Sequence, residues 1–177
     1  MRYADRDDYD VYDLLRIERE FTRVSPTLYL GGAPVSSDIP KLEACGVKFF
    51  LNVAKEIHDD CVTYGSDILS VHIPLRDHTA NPAWLFEEAL LTLRQMEKRG
   101  IVLVHCGIGV SRSPTTIALY WYAMGREPSV QSGIERLKGF RRCVSPSELL
   151  LTNEVMDVAN KLKKRWVRSK KQSDVLV

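Results

Sequence analysis

Residues 104–115 read VHCGIGVSRSPT, and they stand between two apolar runs, IVLV before and IALYWYAM after. The first run is short and rich in β-branched residues, as expected of a buried strand. Pro114 suits the first turn of a helix, and Gly125 is placed to end it. The stretch therefore predicts a strand, a tight glycine-bearing loop and a helix in direct succession.

The sequence on the N-terminal side shows the same succession of strands and helices. Asp38 and Pro40 open a short helix, and Asn81 and Pro82 form an N-cap and first-turn pair for a longer one. Three segments read as strands by continuous or alternating apolar residues: TLYLGG (27–32), VKFFLNVA (47–54) and ILSVHIPL (68–75). We predict an α/β fold with a central, mostly parallel sheet of about five strands flanked by helices.

Helix signals dominate after residue 125. Ser129 is a good N-cap, and SPSE (145–148) has the form of a capping box, which predicts a last helix from about Pro146 to Trp166. The chain divides into three parts: an N-terminal arm or docking helix (1–23), one compact domain (24–166) and a basic, mobile tail (167–177).

Composition limits the class of protein. The 177 residues are 45% hydrophobic and 27% charged, and their net charge of +2 favours neither a nucleic-acid binder nor an acidic scaffold. No stretch reaches the 18 or more apolar residues of a membrane span, and the start, MRYADRDDYD, is unlike a secretory signal. We expect an intracellular protein, in the cytoplasm or the nucleus, with four free thiols. The basic tail is either a solvated helix end or a segment that serves in nuclear import or binds an acidic surface.

The loop after the strand has the composition of an anion site. The amides from Gly107 to Arg112 can form a cradle, and the positive end of the following helix dipole adds to it. Gly107 and Gly109 permit the backbone angles that a cradle needs, and Arg112 offers a planar fork of donors for two phosphate oxygens. The same charges favour thiolate over thiol at Cys106. We predict hydrolysis of a phosphate ester through a cysteinyl phosphate.

Such a reaction needs an acid for the leaving oxygen and a base for the attacking water. Asp77 is the best candidate because it follows the ILSVHIPL strand, at the sheet edge from which the Cys106 loop starts. His78 is a rival for this role. Three other carboxylates precede that strand, and we expect them at its opposite end: Asp59, Asp60 and Asp67.

Two polar residues beside the loop each have two interpretations. His105 precedes the nucleophile, and we interpret it as a residue that holds the loop, with an acid or base role as the alternative. Ser113 can cap the helix, and its hydroxyl can also bond the sulfur of Cys106 and ease its departure in the second step.

HCGIGVSRS contains the H-C-x-x-G-x-x-R-S pattern of cysteine-dependent protein phosphatases, and the surrounding chain resembles their compact, atypical dual-specificity branch. The similarity covers roughly residues 24–160, including VHIPLRDH, which resembles the acid-bearing loop, and SRSPTTIALYWYAMG, which resembles the helix behind the phosphate loop. The resemblance implies a single-domain phosphatase, without metal or cofactor, that acts on phosphotyrosine and on phosphoserine or phosphothreonine.

The resemblance also implies a role for each matching position. It assigns the nucleophile to Cys106, the transition-state clamp to Arg112, support of the thiolate to Ser113 and the general acid to Asp77. The phosphate cradle falls on Gly107, Ile108, Gly109, Val110 and Ser111. Because these cradle positions are uncharged, a polyanionic inositol-lipid headgroup is disfavoured as a substrate.

Two positions after the loop need separate mention. Many members of the family have Pro-Asn where this chain has Pro146-Ser147, and we expect a local change in helix capping. In some relatives a basic residue four positions before that proline binds a second phosphate or an acidic flank of the substrate. Arg142 occupies this position, and a plain surface role for Arg141 and Arg142 is the alternative.

We therefore expect phosphorylated proteins as partners, no nucleic acid or membrane, and a monomer by default. Two other functions stay open: the same chemistry on an RNA 5′ end, a phosphoglucan or an inositol phosphate, and a phosphoprotein-binding module without catalysis. A further hypothesis is that Cys61 or Cys143 traps oxidised Cys106 as a disulfide.

Overall fold

The computed structural model describes residues 21–59 and 67–174, with side chains up to Ser169. Its strands are β1 (Thr22–Arg23), β2 (Leu28–Gly31), β3 (Val47–Asn52), β4 (Leu69–His72) and β5 (Ile101–His105). They form one sheet in the order β1-β2-β5-β3-β4. All neighbouring strands are parallel except β1 and β2. The predicted α/β fold with a mostly parallel sheet of about five strands is confirmed.

The helices lie on both faces of the sheet. They are α1 (Ile39–Ala44), α2 (Ala83–Glu97), α3 (Arg112–Ala123), α4 (Val130–Phe140) and α5 (Asn153–Asp174), with short 3-10 turns at Ser36–Asp38 and Glu148–Leu150. Over the described parts of the chain, no helix is long and apolar enough to cross a membrane.

The two-sided core explains why β3 and β5 read as continuous apolar runs. Phe49 and Leu51 of β3 belong to the large cluster formed with α2, α3, α4 and α5. Phe50, between them, belongs to a second cluster with Ile39 and Leu42 of α1 on the other face. Burying each such side chain contributes about 1.5–3 kcal/mol, so both faces favour apolar residues.

The edge strand β4 departs from its prediction. It covers only four residues of ILSVHIPL, and Leu69 and Val71 are 57% and 38% exposed. The alternating residues Leu69, Val71, Ile73 and Leu75 do not form one buried face, because the strand ends at His72. Ile73 and Leu75 are buried after the chain has left the strand and turned over the end of β3.

The last helix begins later than the sequence pattern suggests. SPSE is not a capping box: the Ser145 amide donates to the Val110 carbonyl at 2.9 Å, and the Ser147 amide donates to the Ser111 hydroxyl at 3.3 Å. These bonds hold the segment against the Cys106 loop, so α5 starts at Asn153 and continues beyond Trp166 to Asp174. The Ser129 cap is confirmed, since its hydroxyl accepts from the Ser132 amide at 3.0 Å.

The division of the chain into arm, domain and tail stays a prediction. Residues 1–20 lie outside the described residues, while Thr22 and Arg23 of the proposed arm form β1. The proposed tail has helical backbone as far as Asp174.

A buried carboxylate stabilises the end of the sheet at which the parallel strands begin. Glu97, the last residue of α2, accepts hydrogen bonds from Thr27 at 2.7 Å, from Tyr120 at 2.5 Å and from both Arg126 terminal nitrogens at 2.8 Å. Burial alone would raise the pKa of Glu97, but these donors outweigh burial and lower it. The ionised carboxylate therefore connects α2 to α3 and to the start of β2.

Candidate active site

The Cys106 loop starts at the centre of the sheet. β5 lies between β2 and β3, so that His105 pairs with Gly31 on one side and with Asn52 on the other. The loop therefore begins between two other loops, to which it is bonded: the Val53 amide donates to the His105 carbonyl at 2.9 Å, and the Ala33 amide donates to the Gly107 carbonyl at 3.0 Å. This is where ligands bind in open parallel sheets.

Hydrogen bonds from outside the loop orient its peptide groups. The Gly107 and Val110 carbonyls accept from the Ala33 and Ser145 amides, and Arg141 donates to the Ile108 carbonyl at 3.0 Å and the Gly109 carbonyl at 3.3 Å. In a trans peptide the next amide points the opposite way. The amides of residues 108–111 therefore face the inside of the loop, as a phosphate cradle requires.

The two glycines of the loop are not equivalent. Gly109 has φ +73°, and a Cβ there would lie 2.6 Å from the Gly31 carbonyl carbon, closer than real Cβ contacts come. Gly107 has no positive φ, and a Cβ there would meet its nearest neighbours at 3.6 Å. The expectation that both positions need glycine is wrong for Gly107.

Cys106 lies at the base of this loop. Cys106 is 1% exposed, and its sulfur is 3.3 Å from the fully buried Ser113 hydroxyl. The one proton of that hydroxyl can be donated to the sulfur or to the Gly31 carbonyl, which lies at 3.5 Å. Helix α3 begins at Arg112 with Ser111 at its N-cap position, so Ser113 is not the cap. Of the two interpretations of Ser113, the geometry matches the contact with the sulfur.

Arg112 is held by a carboxylate that sequence reasoning missed. Its terminal nitrogens bond both oxygens of Glu56 at 2.7 and 2.5 Å, and Nη1 also donates to the Leu75 carbonyl at 3.1 Å. The hydrogen bond from Arg112 is the main reason why the pKa of Glu56 is lowered. Glu56 follows β3 at the edge of the sheet that carries the site. Other polar residues of the same loop also have this position, so the sequence alone does not single out Glu56 as the partner of Arg112.

The Nε of Arg112 faces Asp77. Nε has no hydrogen-bond acceptor among the described residues, and it is 3.5 Å from Asp77 Oδ2. Asp77 Oδ1 accepts from the Ser111 hydroxyl at 2.8 Å and from the His78 amide at 2.9 Å. Oδ1 is therefore occupied by two donors, while Oδ2 faces the Nε of Arg112. The rival, His78, has a side chain that is 62% exposed.

Asp77 reaches the site although β4 is not the neighbour of β5. The segment after β4 crosses the end of β3: the Ile73 amide donates to the Asn52 carbonyl at 2.8 Å, and the Lys55 amide donates to the Leu75 carbonyl at 3.0 Å. The predicted shared sheet edge is therefore present, with one strand between the two loops.

His105 faces a buried carboxylate. Its Nε2 is 3.2 Å from Asp59 Oδ1. Asp59 accepts hydrogen bonds from Asn52 Nδ2 at 3.2 Å and from the Ser70 hydroxyl. Burial would raise the pKa of Asp59, but His105 and Ser70 outweigh it and lower the pKa. The expectation that Asp59 lies at the opposite end of the sheet is wrong, because the loop after β3 folds back over the strand ends.

Other predicted residues lie as follows. Asp67 precedes β4 and is exposed, while Asp60 and Cys61 lie outside the described residues. Arg142 is on the surface, whereas Arg141 is 4% exposed and bonds the Cys106 loop, so a plain surface role is wrong for Arg141. Within the described ranges, no group of three or more His, Cys, Asp or Glu side chains is placed to hold a metal ion.

The mostly parallel five-stranded sheet, with the Cys106 loop at the end of its central strand, is an α/β fold of the cysteine-dependent phosphatase type. Residues 28–172 match the family model described as the catalytic domain of dual specificity phosphatases. The chain belongs to this family.

Individual relatives agree with the family model. The chain is 34% identical to dual specificity protein phosphatase 5 of Rattus norvegicus over 126 residues, which are 70% of this chain and 32% of the relative. It thus spans about a third of the length of this and similar curated relatives. A crystal structure of DUSP15 superposes with a TM-score of 0.70 at 21% identity, over 84% of this chain and 95% of that one. A crystal structure of PTPMT1 in complex with PI(5)P superposes with a TM-score of 0.65 at 16% identity, over 85% of this chain and 98% of that one.

Proposed function

We propose that this chain is a protein phosphatase that hydrolyses phosphotyrosine and phosphoserine or phosphothreonine esters through a cysteinyl-phosphate intermediate. The observation that carries the proposal is the meeting of three groups around one loop. Cys106 lies below the inward-facing amides, Arg112 starts the helix, and Asp77, 34 residues before Ser111, bonds Ser111 and faces the free Nε of Arg112.

In the first step the Cys106 thiolate attacks the phosphorus while the loop amides and Arg112 bind the non-bridging oxygens. The bond between phosphorus and the leaving oxygen breaks, and its electron pair stays on that oxygen. Asp77 donates the proton from Oδ2 to the leaving oxygen, so that a neutral tyrosine, serine or threonine side chain departs.

In the second step the Asp77 carboxylate takes a proton from water, and the oxygen of that water attacks the phosphorus of the cysteinyl phosphate. The bond between sulfur and phosphorus breaks, its electron pair returns to Cys106, and phosphate is released. The Ser113 hydroxyl, 3.3 Å from the sulfur, stabilises the departing thiolate.

Phosphorylated proteins are the proposed partners of an intracellular monomer, in the cytoplasm or the nucleus, with no nucleic acid or membrane required. The curated relatives are protein phosphatases by name, which supports this choice. The uncharged side chains at positions 107, 108, 110 and 111 disfavour an inositol-lipid headgroup. Arg142, exposed beside the loop, is proposed to bind an acidic flank of the substrate.

A substrate panel tests the proposal. We expect hydrolysis of phosphotyrosine and phosphothreonine peptides and of p-nitrophenyl phosphate in the presence of EDTA, with inhibition by vanadate and loss of activity in Cys106→Ser. Preferential hydrolysis of an RNA 5′-phosphate, a phosphoglucan or an inositol phosphate would contradict the proposed substrate class. Binding of phosphopeptides without turnover by the unmodified protein would contradict the enzymatic function itself.

A further inference from the structure

We infer that Asn81 is a positioning residue that holds the loop of the proposed general acid, Asp77, in the conformation that protonates the leaving group. The inference rests on the proposed function, because it presupposes that Asp77 is the acid. The side-chain hydrogen bonds of Asn81 go to the backbone of the segment that carries Asp77, so it acts through that backbone.

The side chain of Asn81 closes a small ring around this segment. Its Oδ1 accepts from the Arg76 amide at 2.8 Å, and its Nδ2 donates to the Arg76 carbonyl at 2.8 Å and to the Thr79 carbonyl at 3.1 Å. Both the amide and the carbonyl of the residue before Asp77 are therefore held by one side chain. Asn81 is 6% exposed, so these bonds are shielded from competing water.

The bonds do not serve the helix that follows. The sequence predicts Asn81 as the N-cap of α2, since asparagine is among the best capping residues. In the structure Pro82 is the N-cap residue and no side chain caps the helix. That prediction is wrong, and the physical reason is that the amide group of Asn81 points back to the acid loop instead.

The loop needs an external support of this kind. His78, directly after Asp77, has φ +51°, a left-handed backbone conformation that is unfavourable for residues other than glycine. The backbone amide of His78 donates a hydrogen bond to Asp77 Oδ1 at 2.9 Å. By bonding Arg76 before these two residues and Thr79 after them, Asn81 holds both ends of the strained turn that orients the carboxyl group.

Asparagine is required because the site needs one acceptor and two donors. Alanine removes all three bonds, and aspartate keeps the acceptor for the Arg76 amide but cannot donate to either carbonyl. If Asn81 acts on proton donation, its replacement must reduce the rate most where the leaving group is a poor one. A leaving group that departs easily without a proton should be little affected.

The experiment compares kcat/KM for phenyl phosphate and p-nitrophenyl phosphate, because kcat/KM covers the steps up to the first phosphoryl transfer. We expect Asn81→Ala to lower kcat/KM roughly 10-fold or more for phenyl phosphate and less than about 3-fold for p-nitrophenyl phosphate. The larger loss is a part of the 10²–10⁴-fold rate enhancement that a general acid supplies. Asn81→Asp should show the same pattern at least as strongly, because a carboxylate oxygen would replace the donor that faces the Arg76 and Thr79 carbonyls. In an Asp77→Asn background, Asn81→Ala should change neither rate by more than about 2-fold, since the acid is already absent.

Asn52→Ala is the matched control. Asn52 is also buried and also bonds a loop after a strand, through Ile57 and Ala54 at 2.9 Å each, but that loop carries Glu56 and not Asp77. Its loss of rate should therefore be equal for both substrates. Thermal unfolding of each variant identifies any that is not folded, and Asn81→Asp carries the test if Asn81→Ala does not fold.

The outcomes separate the inference from the proposed function. Loss concentrated on phenyl phosphate, and absent in the Asp77→Asn background, supports the role of Asn81. Equal losses on both substrates, with Asp77→Asn still selective for phenyl phosphate, would overturn the inference and leave Asp77 as the acid. If Asp77→Asn itself leaves phenyl phosphate hydrolysis intact, both the proposed acid and its support are refuted.

Discussion

Replacing Gly109 by alanine should damage both the stability and the chemistry of this protein, whereas the same change at Gly107 should do little. At Gly109 the methyl group would meet Gly31 backbone atoms at 2.6 and 2.7 Å and the Gly32 nitrogen at 2.9 Å. Those are backbone atoms at the end of β2 and in the residue that follows it, and they cannot turn away as a flexible side chain could.

The magnitude follows from two costs. An alanine at φ +73° costs about 1–2 kcal/mol because its Cβ crowds the backbone in the left-handed region. Forcing β2 and the loop apart adds about 1–3 kcal/mol, as in overpacked cores. We expect a loss of about 2–5 kcal/mol in the free energy of unfolding. Because the shift also misplaces the amide cradle, kcat/KM should fall by about 10²-fold.

The assay is urea unfolding followed by circular dichroism, together with kcat/KM for p-nitrophenyl phosphate well below the melting temperature of each variant. Gly107→Ala should remain within about 0.5 kcal/mol of the unmodified protein, since its new methyl group makes only ordinary contacts at 3.6 Å. If Gly109→Ala is as stable and as active as Gly107→Ala, the close approach of the loop to β2 does not exist and the reasoning fails.

Three further predictions concern charged residues. Glu56→Gln should lower kcat/KM about 5-fold, with little change in KM for p-nitrophenyl phosphate. This loss corresponds to roughly 1 kcal/mol for the ion pair between Arg112 and the half-exposed Glu56. An unchanged rate would show that Arg112 is oriented without Glu56. Arg141→Ala should lower kcat/KM by roughly 10-fold or more by releasing the two loop carbonyls. Arg136→Ala, which loses its pair with Glu127 and its stacking on Trp121 but no bond to the loop, should keep its activity, and equal rates for the two variants would count against the role of Arg141. The pKa of Glu97 is lower in the folded than in the unfolded chain, so the ionised carboxylate contributes to the free energy of unfolding. This contribution is complete above about pH 4.5 and is lost as the pH falls through the pKa of the folded state. Urea unfolding from pH 7 to pH 3 should show this loss of stability, and Glu97→Gln should make stability depend less on pH.

The hypothesis that a second cysteine protects oxidised Cys106 stays a prediction. Cys143 is half-buried on the segment that follows Arg141, and no disulfide joins the cysteines of the described residues. Peptide mapping after mild peroxide treatment tests it: a Cys106–Cys143 peptide pair would support the hypothesis, and sulfenic acid on Cys106 without any partner would reject it for both candidate cysteines.

The sequence alone determined the elements and residues that depend on local order. The strand, loop and helix around VHCGIGVSRSPT are predicted from apolar runs and glycines, since β5 is buried on both faces and α3 begins directly after the loop. Cys106 and Arg112 are brought together by the same short loop. Asp77 could be placed near them because parallel strands end at one edge of the sheet.

Tertiary structure decided which side chain answers which group. Glu56 and not another polar residue of its loop meets Arg112, Arg141 and not Arg142 supports the loop carbonyls, and Asn81 bonds the acid loop and not its own helix. For Glu56 and Arg141 the physical reason is that a hydrogen bond depends on a fraction of an ångström in the relative position of segments far apart in the chain. For Asn81 the bonds depend in the same way on the conformation of the turn from Arg76 to Thr79. Residue type and local pattern carry no such information, so these partners become known only when the packed segments are seen together.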